Sequence, residues 1–243
     1  MGKKILISLS IIGIVSAVVI GATMAYFKDT ETSTGNTFTA GSIDLKIDLQ
    51  CKYQDNCEFS LRDLNGQTFF GNWCDIKPGD EREVTISWHV YDNDAWARIR
   101  LADLVDYENA CTDPEEEAGD TDCGDPGNGE GELDDYLMFT LWMDEGQTSG
   151  WQCPDDSNGP CNADPLEGDN ILNGIETILA EKTAKEMLDG VELPGPLKGS
   201  TTYYLGVKAH IPASTGNIIQ TDGLIGKIII EVVQSRNNLN PWQ

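Results

Sequence analysis

The sequence predicts an all-β protein, a jelly-roll-like β-sandwich with one short helix. Three observations point there: roughly seven segments alternate apolar and polar residues, turns rich in Gly, Pro and Asp separate them, and little of the chain has helical periodicity. In the first such segment Ile43, Leu45, Ile47 and Leu49 alternate with Asp44, Lys46 and Asp48, the pattern of a half-buried strand. KPGDE, from Lys77 to Glu81, is a turn, because Pro78 fixes φ and Gly79 is free to take positive φ. A second strand from Val84 to Tyr91 then places Val84, Ile86, Trp88 and Val90 inward and Thr85, Ser87 and His89 outward. Asp92 to Asp94 turn the chain into a third, Trp96 to Leu104, in which Ala97, Ile99 and Leu101 alternate with Arg98 and Arg100.

Further strands are expected at Leu137 to Met143, Tyr203 to Ile211 and Gly226 to Val233. The consecutive Ile228, Ile229 and Ile230 make the last of these a central strand covered on both faces. Thr183 to Asp189, followed by Gly190, reads as the short helix, with Thr183 near its N-cap and Gly190 at C′. Glu176 to Glu181 is either a strand or the first turns of that helix. Two insertions interrupt the pattern: residues 106–135 hold 13 carboxylates, residues 144–170 hold seven, and neither contains Lys or Arg. Both are expected as surface loops.

Ahead of the strands, Lys3 and Lys4 precede an 18-residue run, Ile5 to Ala22, whose polar members are Ser8, Ser10 and Ser16, and which leads into GATMA. This is the pattern of a signal helix over residues 1–25, cleaved near Ala25 or Tyr26. The run is also long enough to span a bilayer, so an uncleaved anchor is the competing reading. Residues 26–42 are polar and rich in Thr and Ser, with β-propensity but little to bury on their own. Residues 43–243 are expected to form a single sandwich domain carrying the two insertions.

With 41 acidic against 16 basic side chains the formal net charge is −25. Such a surface disfavours nucleic acid and anionic lipid, leaves the uncleaved leader as the route to a membrane, and attracts divalent cations. All seven cysteines, Cys51, Cys57, Cys74, Cys111, Cys123, Cys153 and Cys161, follow the leader, where an exported protein meets an oxidising compartment and disulfides persist. Cys111 with Cys123 and Cys153 with Cys161 would each close a loop rich in Gly, Asp and Pro. Among Cys51, Cys57 and Cys74 one is left over, as a free thiol or an intermolecular bond.

Catalysis finds little support, and the chain is read as no enzyme. His89 and His210 are the two histidines, and HExxH, GxSxG and a Gly-rich phosphate loop are all missing. His89 alternates with inward residues and is expected at the surface or facing a second layer. No cofactor is required, but the acidic loops offer the oxygen donors that calcium takes. The candidates are Asp120, Asp122, Asp125, Asp134 and Asp135 in the first insertion and Asp164, Glu167 and Asp169 in the second, against the plainer reading of a solvated acidic face. Trp88 and Trp142 fall in strand patterns and are read as core. Trp242, beside Pro241, would latch onto a neighbour or onto its own domain.

From Gly21 to Leu45 the chain reads GATMAYFKDTETSTGNTFTAGSIDL, which closely resembles the start of TasA, CalY and camelysin-like proteins. KPGDE, TISWHVYDNDAW (Thr85 to Trp96), EGDN (Glu167 to Asn170), GNIIQTDG (Gly216 to Gly223) and QSRNN (Gln234 to Asn238) extend the similarity to larger TasA-like proteins. The resemblance implies export with a SipW-type signal peptidase as processing partner, a jelly-roll core, and assembly of identical subunits into extracellular fibres or pili of a biofilm matrix or cell surface. It also implies donor-strand complementation, in which the freed amino-terminal segment adds to the next subunit. Tyr26, Phe27, Thr37, Phe38 and Thr39 would lie in that donor strand. Some camelysin-like relatives are classed as metallo-endopeptidases. A secreted peptidase, or a monomeric calcium- or glycan-binding surface module, is therefore the alternative.

Overall fold

The computed structural model describes residues 43–52, 58–64, 67, 69–70, 73–121, 127–148, 164–239 and 241–242. Gly41–Gln243 form one compact unit. The expected signal helix and donor segment lie outside the described residues.

The strands are β1 (Ile43–Lys52), β2 (Phe59–Arg62), β3 (Glu81–Asp92), β4 (Ala95–Glu108), β5 (Gly127–Asn128), β6 (Met138–Met143), β7 (Thr177–Thr183), β8 (Val191–Glu192), β9 (Thr201–His210) and β10 (Gly223–Gln234). They form two antiparallel sheets, one in the order β2-β1-β3-β9-β6-β7 and one in the order β10-β4-β5, with β8 also paired to β4. The all-β sandwich expected from the alternation is therefore present. β3 pairs with β9 in the first sheet and β4 with β10 in the second, so the chain crosses between sheets at Asp92 to Asp94. Asp92 makes that corner with a φ of 63°. The Asp94 carboxylate accepts hydrogen bonds from Gly199 N–H at 3.0 Å and from Lys198 Nζ at 2.7 Å, which ties the corner to the approach to β9. The Lys198 contact holds this carboxyl below its ordinary range.

The core lies between the sheets. Ile47, Val84, Ile86, Trp88, Leu205 and Val207 enter it from one side and Ala97, Ile99 and Leu101 from the other, as the period-2 pattern requires. The outward face of β3 departs from the expectation, since Glu83, Thr85, Ser87 and His89 are buried too. His89 is 0% exposed, with Nδ1 3.0 Å from Thr202 Oγ1 and Nε2 3.8 Å from Asp48 Oδ2. Part of the reason is the second acidic insertion, which folds back over this sheet. Thr85 Oγ1 donates to Asn170 Oδ1 at 2.8 Å, and Gly168 packs against the Tyr204 ring. Within the sheet, Trp142 of β6 lies directly on Gly206 of β9, where a Cβ would fall 2.0 Å from the indole.

The first insertion is likewise more ordered than a loop. It holds a short helix α1 (Asp113–Ala118), the β5 bridge and a helical turn α2 (Leu133–Tyr136). Glu115 accepts from the Thr112 backbone N–H at 2.7 Å, the reach-back of a capping box. The helix expected at 183–189 is instead the end of β7 followed by a 3₁₀ turn, Glu186–Asp189. Thr183 and Glu186 still exchange the reciprocal bonds of a cap, at 3.0 and 3.2 Å. The carboxy-terminal segment latches onto its own domain: Trp96 Nε1 donates to Asn238 O at 2.7 Å, and the Arg98 guanidinium sits 4.2 Å from the centre of the Trp242 ring.

Gly206→Ala is predicted to destabilise the fold by about 1–3 kcal/mol, the usual cost of forcing an atom into a filled core. Thermal denaturation checks this, and an unchanged melting temperature would contradict the Trp142 contact.

Candidate functional site

Among the described residues β10 stands at the edge of its sheet. Among the described residues its one strand neighbour is β4, which corrects the expectation of a central strand covered on both faces. Its three consecutive isoleucines reflect half-burial: Ile228 and Ile230 pack against the core, and the strand as a whole is only partly covered. At its start Ile225 is 61% exposed. A groove of about 1000 Å³ runs along residues 223–230. Leu101 and Leu104 of β4, Leu133 of α2, Phe139 of β6, and Phe70 and Trp73 from the segment before β3 line it. An edge strand presents a row of main-chain donors and acceptors, and here an apolar channel follows that row.

A second constellation lies where β10 begins. Glu108 at the end of β4, Glu132 just before α2 and Asp222 just before β10 bring carboxylate oxygens within 4.8 Å of one another. Asp222 Oδ2 accepts the Glu132 backbone N–H at 2.8 Å. Glu108 Oε1 accepts from Ala110 N–H at 2.9 Å and from Thr221 Oγ1 at 3.1 Å. Burial, reinforced by Glu132, Glu108 and Asp106, pushes the Asp222 carboxyl up to about 7. Burial likewise raises Asp106, beside Asp134, to about 6.

A third group sits on the outer face of the first sheet. Asp144, 0% exposed, accepts backbone N–H bonds from Gly168 at 2.9 Å and Asn170 at 3.1 Å, and faces Glu176. Burial and the Asp144 charge push Glu176 up to about 8.

The residues singled out in the sequence scatter among these features. Asp164 is buried and accepts from Thr148 N–H at 2.6 Å, and Asp169 accepts from Ile171 N–H at 2.9 Å, so both cap turns of the folded-back insertion. Glu167 and Asp120 are buried, and Asp134 and Asp135 form the first turn of α2, facing Lys185. Asp122, Asp125, Cys57, Cys123, Cys153, Cys161 and the donor residues Tyr26, Phe27, Thr37, Phe38 and Thr39 lie outside the described residues. Cys51 stands opposite Val84 in the β1–β3 ladder, Cys74 is a free, exposed thiol, and Cys111 is disulfide-bonded. Glu108 and Asp222 were not singled out. The available signal was an acid at the end of GNIIQTDG, directly before a strand.

The family model described as camelysin metallo-endopeptidase matches residues 1–86. No curated protein matches the chain. Similarity to the camelysin-like family thus covers residues 1–42, β1, β2 and the first half of β3. The family suggests a secreted or surface protein, and among the described residues no helix is long and apolar enough to cross a membrane. A metallo-endopeptidase would need a catalytic metal, for which zinc centres typically use imidazole ligands. His89 is engaged with Thr202, and His210 stands at the far end of β9 from Thr202, opposite Glu81. Among the described residues the converging ligand set contains carboxylates alone. These residues do not fit a zinc-peptidase centre.

The Asp144–Glu176 pair predicts an unusual pH dependence. Both folded-state values lie above those of the unfolded chain, so between about pH 4.5 and 8 the native state holds a proton that the unfolded chain has released. Stability contributed by the pair is therefore present at the acid end of that window and lost as pH rises through it. Glu176→Gln, which supplies an amide donor without a titrating proton, should flatten the fall in melting temperature between pH 5 and 8. An equal slope in the variant would refute the assignment.

Proposed function

We propose that this camelysin-like chain is a secreted structural subunit that joins copies of itself head to tail, residues 26–39 of one copy adding as a strand to the β10 edge of the next. The observation that carries this reading is the apolar groove along residues 223–230, beside a strand that has one neighbour among the described residues. Strand addition satisfies main-chain donors and acceptors on both partners, and alternate side chains of the incoming strand fill the groove. Tyr26, Phe27 and Phe38 are the apolar anchors of the segment, and its Thr-rich stretches suit an extended conformation.

The lengths agree with this. At roughly 3.3 Å per residue, the 14 residues from 26 to 39 extend well beyond the part of β10 that borders the groove, leaving chain to bridge two subunits. Donor and acceptor are different surfaces, so the contact is heterologous and propagates as an open filament instead of closing a dimer. Export supplies the trigger, because removal of the leader near Ala25 frees the segment.

Protein beginning at Tyr26 is predicted to form filaments in negative-stain electron micrographs, and deletion of residues 26–39 to leave monomers. Ile225→Asp, on an exposed position of the groove, should abolish filaments with little change in the monomer's melting temperature. A synthetic peptide of residues 26–39 should bind the deletion variant and not the same variant carrying Ile225→Asp. Filaments formed by the deletion variant would sink the proposal.

A further inference from the structure

Beyond assembly, we infer that Glu108, Glu132 and Asp222 form a calcium-binding site that clamps the end of β4, the approach to α2 and the start of β10. The geometry is that of a coordination shell. Calcium takes oxygen ligands at about 2.3–2.6 Å, so two donors on opposite sides of the ion stand roughly 4.6–5.2 Å apart and all other pairs are closer. The three carboxylates bring oxygens within 4.8 Å of one another, a spacing that one such sphere can accommodate with a small adjustment of the side chains.

Acidic side chains crowd together on many surfaces, and a second observation separates this cluster from those. Glu108 is 2% exposed. Its Oε1 is occupied by Ala110 and Thr221, while Oε2 is buried and has no hydrogen-bond partner. Asp222 repeats the arrangement: Oδ2 takes the Glu132 N–H, and Oδ1 is buried without a partner. A buried, unsatisfied carboxylate oxygen is costly unless something neutralises it. Among the described residues no ion pair to Glu108 or Asp222 is seen, and Lys185, beside α2, pairs with Asp134 and Asp135. Asp106, which faces Asp134, adds a further negative charge to the neighbourhood.

Carboxylate oxygens are hard donors, and a set held by three separate chain segments has the adaptable spacing that calcium accepts and magnesium, with its strict octahedron and retained waters, does not. Thr221 connects the site to α1 as well, because its N–H donates to Glu115 Oε1 at 2.7 Å while its hydroxyl reaches Glu108. A cation here would therefore order one end of the second sheet. Asp222 also lines the groove along β10, so the bound ion would stand at its mouth.

The test uses calcium chloride as the probe on the purified protein, with isothermal titration calorimetry and thermal melts, neither of which depends on filament formation. The expected result is binding to one site with sub-millimolar to millimolar affinity, and a melting temperature raised by roughly 5 °C at about 10 mM calcium. Asp222→Asn and Glu108→Gln should each weaken binding by at least about tenfold, the scale of losing a metal-site group. Their calcium-free melts should equal or exceed that of the parent, because each removes a charge from a crowd of like charges, which separates lost binding from lost folding. Asp135→Asn, on the exposed side of α2, should bind as the parent does. No calcium response in the parent would overturn the inference. So would undiminished binding by Asp222→Asn and Glu108→Gln, or an equal response to magnesium, either of which would signify diffuse counter-ion screening.

Discussion

Main-chain hydrogen bonding along β10 is the constraint on which the rest of this structure turns. Its inner side is paired to β4 over nearly the whole strand, from Gly223 opposite Tyr107 to Gln234 opposite Ala95. Its outer side faces a groove lined by Leu, Phe and Trp side chains. Polar backbone beside apolar side chains is a surface that water serves poorly and an added strand serves well, because the strand brings both kinds of partner at once.

The negative charge of the chain is partly internal. Many carboxylates in the two insertions cap turns or accept backbone N–H groups, as Asp144, Asp164 and Glu115 do. That use stabilises backbone in segments with few apolar residues to bury. In places carboxylates also face one another: Asp106 with Asp134, Asp144 with Glu176, and Glu108 with Glu132 and Asp222. In the Asp144–Glu176 pair burial pushes both carboxyls up, toward retaining a proton. The last set converges from three segments and leaves buried oxygens unused, the arrangement expected where a cation supplies the missing charge.

Much of the strand framework was legible along the chain. The alternation at Ile43 to Leu49, Val84 to Val90 and Ala97 to Leu101 marks real strands and their core faces, because a residue's side of a sheet follows from period two alone. Burial of the opposite face did not follow. His89 and Thr85 are enclosed although nothing in their own strand requires it, and for Thr85 the cover comes from a segment far along the chain. The reading of Ile228 to Ile230 failed for a related reason. Three consecutive isoleucines signify apolar surroundings, and a groove at a sheet edge satisfies that as well as a central position does.

By itself the sequence determined the sandwich class and the turns between its strands, since these depend on neighbours within a few residues. Tertiary structure decided the order of the strands, the place of β10 beside β4 alone among the described residues, and the meeting of Glu108 with Glu132 and Asp222. Those depend on which distant segments come together, and a carboxylate's local sequence carries no record of the carboxylate it will face.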